Sequence, residues 1–492
     1  MSATPRLSKS KFTAGLQCHR LLWWRVHEPD APELVPDPAT QAVFDQGTRV
    51  GELARGHVPG GTLVDFDHRL IAEKVAFTER ALRTDTPAIY EASFLADRVF
   101  VAVDILERAG KAWRLIEVKS TTKLKEEHLP DAAVQVHVLR AAGLDVRSAE
   151  LMHLNRECRY PDLDSLFARE DITREVEARL PAIPEILDEQ LAMLGGPIPE
   201  VPIGEHCTTP YACPFRSRCW AHLPPHHVTT LYNAGRKAWA LEAAGHRTVP
   251  EVPDRDCPGA ASRRQKRALV EGRRIVEPTL AAALAAMRGP FAYLDFETVG
   301  PAIPIWIGCR PYDQVPAQFS CHREDGRGGH DHFEWLAETP GDPREPLARA
   351  LVEACAGAAS IVTYNVGFER RCVRELAAHL GGDLAAELAR VEARLVDLLP
   401  LVRDHVYDPA FGGSFSLKAV LPALVPGGGY EDLEVREGTT ASAWLERLVR
   451  EDVDLAPEER RGMSAALKAY CKLDTWATVL LMRRLRELAE VA

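Results

Sequence analysis

Two acids and a lysine that lie close together in the sequence form the first group of residues with a catalytic use. Asp104 lies at the end of one apolar run, and Glu117 and Lys119 lie in the next run, beyond the polar turn 107–111. This pattern predicts a β-hairpin, and side chains two residues apart leave the same face of a strand. The carboxylates can hold a divalent metal ion through oxygen, and the ammonium group can orient or activate a water beside it.

Four cysteines flank this segment. Cys18 lies upstream, in a stretch that predicts one helix over residues 7–27, and Cys207, Cys213 and Cys219 follow downstream. Four thiolates can close a site for an iron–sulfur cluster or for zinc. One ligand before the acids and three after them would tie the two ends of a domain together. The alternative is a set of buried free thiols, which the closeness of three cysteines among proline and arginine disfavours.

A second group of acids lies in the C-terminal part of the chain. Asp295 and Glu297 are two residues apart in an apolar strand, and Tyr470 and Asp474 are four apart in a predicted helix, so each pair shares a face. Glu369 stands in the first helical turn after another apolar strand. Acids gathered from such distant positions repel one another unless cations occupy the site.

The elements that must position these residues alternate between apolar strands and amphipathic helices, which predicts an α/β protein. We expect an N-terminal domain over residues 1–225, a helical linker over 226–285 and a C-terminal domain over 286–492. The densest positive run, residues 262–274, is either a phosphate contact or an exposed helix face.

The arrangement D-(x12)-E-V-K resembles the core of the PD-(D/E)XK nuclease superfamily, specifically its RecB-like branch. The resemblance implies a restriction-endonuclease-like fold, with the metal on Asp104 and Glu117 and with Lys119 helping the water. Members have a supporting glutamine on the next helix, and Gln135 in DAAVQVHVL matches it.

Two features depart from that family pattern. The histidine often found in G-x-x-x-H is absent, and Glu52, Glu91 or the less well placed His57 is the candidate replacement. The cysteines resemble those of RecB-like nucleases of the AddB and CRISPR-associated type, although this chain has C-x5-C where the family often has C-x-x-C. The resemblance implies one [4Fe–4S] cluster, with zinc as the alternative, on Cys18, Cys207, Cys213 and Cys219.

The C-terminal pattern resembles the DEDD exonucleases of the RNase H-like fold, in their tyrosine subtype. That family holds two metal ions, Mg²⁺ or Mn²⁺, on four acids, and a tyrosine orients the attacking water. The matching metal ligands here are Asp295, Glu297, Glu369 and Asp474, with Tyr470 as the tyrosine and Asp397 as an auxiliary acid. Glu369 stands where the family usually has aspartate.

The same region also looks like an uncharacterised bacterial domain often found behind RecB-like nucleases. Gln314, Gln318 and His322 are either groove residues or ordinary loop and strand-surface residues, and we favour the second interpretation.

Composition constrains the setting of this chemistry. The net charge of −11 argues against coating nucleic acid over a broad surface but permits a local basic channel. No apolar run predicts a signal peptide or a membrane span, and eleven cysteines, an odd number, favour a reducing cytoplasm.

The sequence therefore predicts a cytoplasmic, metal-dependent nuclease that acts on DNA ends or single strands in repair or defence. The alternatives are a nucleic-acid-binding scaffold with one or both sites inactive, and an RNA-processing exonuclease. Protein partners are not predicted.

Overall fold

The computed structural model describes residues 6–427, 429, 433–435 and 437–491. It is a mixed α/β protein, as predicted. The chain divides into two compact units, one formed by Met1–His222 with Pro301–Asp313 and the other by Leu223–Gly300 with Gln314–Ala492. Residues 226–285, expected to be a separate linker, thus group with the second unit. Along the described residues, no helix combines the length and apolar character needed to cross a bilayer.

The first unit is built on a seven-stranded sheet. Its strands are β1 (Leu7–Ser8), β2 (Thr62–Leu63), β3 (Ala88–Ala96), β4 (Val99–Ala109), β5 (Ala112–Lys119), β6 (Val146–Leu154) and β7 (Phe167–Asp171). They lie in the order β2-β3-β4-β5-β6-β7, and β1 pairs in parallel with the start of β4. Strands β4 and β5 form the predicted antiparallel hairpin, which turns at Gly110 with a left-handed φ of 65°.

Eight helices accompany this sheet among the described residues. They are α1 (Lys9–Gln17), α2 (His19–His27), α3 (Pro38–Gly56), α4 (Ile71–Ala81), α5 (His128–Ala141), α6 (Thr173–Glu177), α7 (Ile183–Leu194) and α8 (Arg216–Trp220). Helix α5 buries most of its side chains, and its Leu129, Val136 and Leu139 join the main apolar core with β3–β6. Burial on nearly all sides fixes the rotation of α5, and with it the position of Gln135.

The predicted single helix over residues 7–27 is wrong. Cys18 has extended backbone angles, with φ −165° and ψ 125°, and it separates α1 from α2. Its N–H donates to the Ala14 carbonyl at 2.9 Å, and its own carbonyl accepts from Leu22 at 3.1 Å. Cys18 therefore ends one helix and begins the next.

The second unit contains a five-stranded sheet, a two-stranded sheet and ten helices among its described residues. The helices are α9 (Arg236–Ala243), α10 (Ala260–Glu271), α11 (Leu280–Ala285), α12 (Arg344–Ala354), α13 (Gly367–Leu380), α14 (Gly382–Glu392), α15 (Leu399–His405), α16 (Leu417–Leu424), α17 (Gly438–Val449) and α18 (Pro457–Val491). The strands are β8 (Ile275–Val276), β9 (Phe291–Val299), β10 (Val315–Glu324), β11 (His330–Leu336), β12 (Ser360–Thr363), β13 (Leu395–Asp397) and β14 (Val406–Tyr407).

The larger sheet has the order β11-β10-β9-β12-β13 and two chemically different faces. β10 pairs antiparallel with β9 and β11, whereas β12 pairs in parallel with β9 and β13. One face presents Leu294, Phe296 and Phe319 to the apolar core that includes α12, α13 and α14. The opposite face presents Asp295, Glu297 and other polar side chains beneath α18. A polar layer under a long helix needs partners for every buried group.

The basic run 262–274 lies mainly on α10 and is largely ion-paired. Arg264 and Arg267 share the carboxylate of Glu277 at 2.9 and 2.7 Å, and Lys266 lies 2.6 Å from an Asp254 oxygen. Much of this positive charge is therefore neutralised within the second unit.

Candidate active sites and cysteine centre

The first site forms around the buried carboxylate of Glu117, near the end of β5. Lys119 Nζ lies 2.6 Å from Glu117 Oε1 and 2.6 Å from Asp131 Oδ2. Lys9 Nζ, at the start of α1, lies 2.9 Å from the same Glu117 oxygen and 3.6 Å from Asp131 Oδ2. The other Glu117 oxygen accepts a hydrogen bond from Gln135 Nε2 at 2.7 Å. Two lysines and an amide, from three separate elements, thus hold one carboxylate.

Asp104 lies beside this cluster on β4. Its Oδ2 accepts the backbone N–H of Val118 at 2.7 Å, which fixes the carboxylate at the end of β5. Of the three candidates for the missing ligand, Glu91 is close enough for its charge to raise the pKa of Asp104. Glu91 has a left-handed φ of 56°, a strained conformation for a residue with a Cβ. Glu52 and His57 are exposed on or beside α3.

The charges of the cluster shift pKa values in opposite directions. Burial raises the pKa of Asp104 to about 7, and repulsion from Glu117 adds to the shift. Burial also acts to raise the pKa of Glu117, but the ammonium groups of Lys119 and Lys9 outweigh it and hold that pKa well below its usual range. Glu117 is therefore ionised at neutral pH, and with Asp104 it offers oxygen ligands of the kind that Mg²⁺ and Mn²⁺ prefer.

Sequence reasoning missed two members of this site, Lys9 and Asp131. Asp131 lies one helical turn before Gln135 on α5, so an acid at that spacing was an available signal. Lys9 is 108 residues from Glu117, and no local pattern connects the two.

The four predicted cysteines converge on one cavity in the first unit, together with Arg20, Arg216 and His206. The Arg20 guanidinium lies 3.7 Å from Cys219 Sγ. Burial raises the pKa of the Cys213 thiol to about 11, and repulsion from the other three sulfur atoms adds to the shift. Four sulfur donors around one cavity fit a metal centre that takes thiolates. All eleven cysteines of the chain are described, and none forms a disulfide.

The second site lies on the polar face beneath α18. One carboxylate oxygen from each of Asp295, Glu297 and Asp474 lies within 4.8 Å of the other two. The first two acids share a face of β9, as their spacing predicts, and the third reaches them from α18. Burial raises the pKa of Asp295 and of Glu297 well above the usual range, and repulsion from Asp474 is the next contribution. Three oxygens at this spacing fit around one hard divalent cation, which would relieve that repulsion.

Tyr470 and Lys418 lie beside these acids. Tyr470 is one helical turn before Asp474 on α18, and Lys418 Nζ, from α16, donates to its hydroxyl at 3.3 Å. Burial and the charge of Asp474 raise the pKa of Tyr470 above its usual range, so the hydroxyl stays protonated. The charge of Lys418 acts to lower the pKa of Glu297. Sequence reasoning missed Lys418, although the sequence GGSFSLKAV that carries it is unusual for its Gly and Ser content just before an apolar helix.

Glu369 and Asp397 lie at the edge of this site. Glu369, in the first turn of α13, is 3% exposed, and its Oε2 has no hydrogen-bond partner among the described atoms. Burial raises the pKa of Glu369 to about 8. The charge of Glu369 acts to raise the pKa of Asp295, but Glu369 is not one of the three acids whose oxygens lie within 4.8 Å of one another. Asp397 Oδ1 accepts the backbone N–H groups of Asn365 and Leu399 at 2.9 and 3.0 Å. Asp397 therefore supports the turn that leads into α13.

Three further polar residues of the sequence analysis make structural contacts. Gln318 and His322 are buried on β10. The amide of Gln318 donates to a backbone carbonyl of α18 at 2.9 Å, and the His322 ring lies 2.8 Å from the Thr475 hydroxyl. Gln314 accepts a hydrogen bond from Thr298 at 2.7 Å. The Gln318 nitrogen and the His322 ring thus pair with groups of α18, whereas Gln318 Oε1 has no hydrogen-bond partner among the described atoms.

The fold and these sites define a mixed α/β protein with a lysine-rich acidic cluster, a four-cysteine cavity and a second acidic cluster. Residues 292–416 match the family model described as "Domain of unknown function (DUF2779)". The match covers about a quarter of the chain and includes Asp295, Glu297, Glu369 and Asp397 but not Tyr470 or Asp474. Comparison with curated proteins gives no match.

Proposed function

We propose that this protein is a metal-dependent nuclease with two separate phosphodiesterase sites. In this proposal the first unit is a RecB-like PD-(D/E)XK nuclease domain and the second is an RNase H-like domain of the DEDD type. The observation that carries the proposal is the convergence of Asp295, Glu297 and Asp474 within 4.8 Å beneath Tyr470. Gathering buried carboxylates costs free energy through desolvation and repulsion, and a bound cation offsets that cost.

In the second site, Asp295, Glu297 and Asp474 hold Mg²⁺ or Mn²⁺, and Glu369 lies where a second ion would find an unpartnered carboxylate oxygen. When bound, such ions activate water and neutralise charge on the phosphate. The protonated Tyr470 hydroxyl orients the attacking water by a hydrogen bond.

In the first site, Asp104 and Glu117 are the metal ligands and Lys119 orients the water. Gln135 fixes one Glu117 oxygen and thereby leaves the carboxylate in one orientation. Glu91 is the best supported of the candidate third ligands, because its charge acts on Asp104. Each of these roles depends on groups that the fold holds in place before substrate arrives.

The four cysteines are proposed to hold a [4Fe–4S] cluster, with zinc as the alternative, because all four line one cavity and thiolates bind both kinds of centre. The cluster would be mainly structural, since it joins Cys18 to three ligands almost 200 residues later and closes a long loop.

The proposed substrate is DNA, at its ends or as single strands, with RNA as the second choice, and the proposed setting is repair or defence in the cytoplasm. A net charge of −11 restricts phosphate binding to a few local cations. Because the salt dependence of nucleic-acid binding scales with the number of phosphate contacts, we expect it to be modest here.

The test is cleavage of 5′- and 3′-labelled DNA and RNA strands by the purified protein with Mg²⁺ or Mn²⁺. We expect Asp295→Ala to remove one polarity of end digestion and Lys119→Ala to remove the remaining cleavage. Binding without cleavage by the wild-type protein would favour the inactive scaffold, and preferential cleavage of RNA would favour the RNA-processing exonuclease.

A further inference from the structure

Lys9 is a charged residue of the first site with a position that the proposed roles leave unexplained. It begins α1, and its ammonium group lies 2.9 Å from Glu117 Oε1, the same oxygen that Lys119 contacts at 2.6 Å. A single lysine is enough to orient a water beside a metal ligand. A second one, brought from the N-terminal end of the chain, indicates another task.

Two features of the fold fix the position of Lys9. The two residues before it form β1, which pairs with Val99 and Phe100 at the start of β4, the strand that carries Asp104. In addition, the hydroxyl of Ser8 caps α1 by accepting the N–H of Lys11. Because backbone pairing and a helix cap both fix this position, the ammonium group reaches Glu117 at little further entropic cost.

Exposure distinguishes the two lysines from the carboxylate that they share. The side chains of Lys9 and Lys119 are 23% and 25% exposed, whereas those of Glu117 and Asp131 are 1% and 11% exposed. Both lysine side chains therefore border the solvent at this site, whereas the carboxylate that they share is enclosed.

The charge balance gives Lys9 a function. Asp104, Glu117 and Asp131 carry three negative charges when ionised, and the two lysines carry two positive charges. The nearby charge of Glu91 is offset by Arg55, which lies 3.1 Å from it. One divalent ion then makes the site positive by one charge, which suits an anionic phosphate. Without Lys9 the loaded site would be neutral.

We propose that Lys9 is a catalytic residue that contacts the scissile phosphate and stabilises the charge on the leaving oxygen. This is the task that a second cation performs in two-metal sites. The assignment depends on the proposed function of the first unit and predicts that this site needs one divalent ion per turnover.

The test uses the full-length protein with Asp295→Ala, so that cleavage reports the first site alone. The variants are Lys9→Ala, Lys9→Arg, Lys119→Ala and the control Lys11→Ala. Lys11 is on the same helix but two residues on, so it points to a different face. Each variant is assayed on labelled single-stranded DNA over a range of Mg²⁺ concentrations, with circular dichroism and the visible absorbance of the cysteine centre as checks of folding.

We expect Lys9→Ala to lower the maximal rate about 100-fold, as loss of one charge-stabilising donor does. We expect the same variant to bind Mg²⁺ several-fold more tightly, because a competing cation has left Glu117. Lys9→Arg should recover part of the rate, millimolar ethylammonium should partly rescue Lys9→Ala, and Lys11→Ala should cleave like the parent protein. If Lys9 only supports the fold, Lys9→Ala should bind Mg²⁺ more weakly, and ethylammonium should not restore its cleavage rate.

Two results would overturn the inference in distinguishable ways. In the first, Lys119→Ala is inactive, and Lys9→Ala either cleaves at the parent rate or loses rate with weaker Mg²⁺ binding and no rescue by ethylammonium. Lys9 then does not contact the phosphate, and the proposed function stands. If Lys119→Ala also cleaves at the parent rate, the proposed nuclease function of the first unit fails, and the role of Lys9 fails with it.

Discussion

Single side chains decide the chemistry of both sites through their immediate charge partners. Glu117 stays ionised despite complete burial because Lys9 and Lys119 are within 3 Å of it. At Glu297 the charge of Lys418 acts to lower the pKa, but burial and repulsion from Asp474 outweigh it and raise that pKa well above the usual range. The first site therefore supplies its own counter-charge, whereas the second depends more heavily on a bound cation.

Lys418 is expected to act on catalysis through Tyr470. Its ammonium group donates to the hydroxyl at 3.3 Å, so it fixes the direction in which that hydroxyl can meet the attacking water. We expect Lys418→Ala to lower the exonuclease rate about tenfold, which corresponds to about 1.4 kcal/mol of transition-state free energy. In the Tyr470→Phe background the same change should cost little, because the hydroxyl it positions is already absent.

The measurement is a double-mutant cycle on 3′- and 5′-labelled single strands in a Lys119→Ala protein. Lys468→Ala is the matched control, since this lysine of α18 forms an ion pair with Glu338 at 2.6 Å. Additive effects of Lys418→Ala and Tyr470→Phe would show that Lys418 acts independently of the tyrosine.

Helix α1 connects the cysteine centre with the first site. Lys9 is its first residue, and Cys18 follows its last residue, Gln17. The Gln17 amide donates to the carbonyls of His206 and Tyr211, at 2.8 and 2.7 Å, in the segment that carries the other cysteines. A change at the cysteines should therefore reach the site through the position of one short helix.

Cys18→Ser should lower the nuclease activity of the first unit even though the thiol is not part of the site. We expect a loss of about tenfold, because a loosened α1 no longer holds Lys9 against Glu117, and we expect the loss to shrink when Lys9 is already alanine. Cleavage by the Asp295→Ala protein, with and without the two changes, measures this coupling.

Cys158→Ser is the matched control in the same unit. The Cys158 thiol donates to the Asp162 carbonyl at 3.3 Å, a contact that a serine hydroxyl can keep. Equal losses from Cys18→Ser in the presence and absence of Lys9 would rule out coupling through α1.

The molecule as a whole carries several carboxylic acids with raised pKa values, and this links stability to pH and to divalent cations. Burial raises the pKa of Asp104 to about 7 and of Glu369 to about 8. A carboxyl group with a raised pKa in the folded state contributes stability that is present below its unfolded pKa and lost as the pH rises through its folded pKa. Without metal, the protein should therefore lose stability between about pH 4 and pH 8.

Saturating Mg²⁺ should oppose that loss, because it binds the ionised acids of the folded state. We expect the difference in melting temperature between Mg²⁺ and EDTA to be small at pH 5 and to reach several degrees at pH 8. Ligand at 100 times its Kd stabilises by about 2.7 kcal/mol.

Differential scanning fluorimetry across that pH range measures the effect. The control is the double variant Asp104→Asn and Asp295→Asn, in which the dependence on Mg²⁺ should largely disappear. A difference that is the same at every pH would contradict the link between these acids and the metal.

The sequence by itself determined the parts of this protein that depend on local pattern. Alternating apolar residues around Gly110 predict the β4–β5 hairpin, and a spacing of two residues places Asp295 and Glu297 on one face of a strand. A spacing of four places Tyr470 and Asp474 on one face of α18. The α/β class follows from the same periodicities, because they depend on backbone geometry that every strand and helix shares.

Only the tertiary structure decided which distant residues meet. Lys9 joins Glu117 because β1 pairs with β4, Lys418 joins Tyr470 because α16 packs on α18, and neither packing leaves a periodic trace in the sequence. Local pattern also failed at Cys18, where the residues on both sides favour helix and the break comes from the extended backbone at the thiol. Contacts between elements depend on the complementary shapes of whole surfaces, and a single sequence records those shapes only through the folded chain.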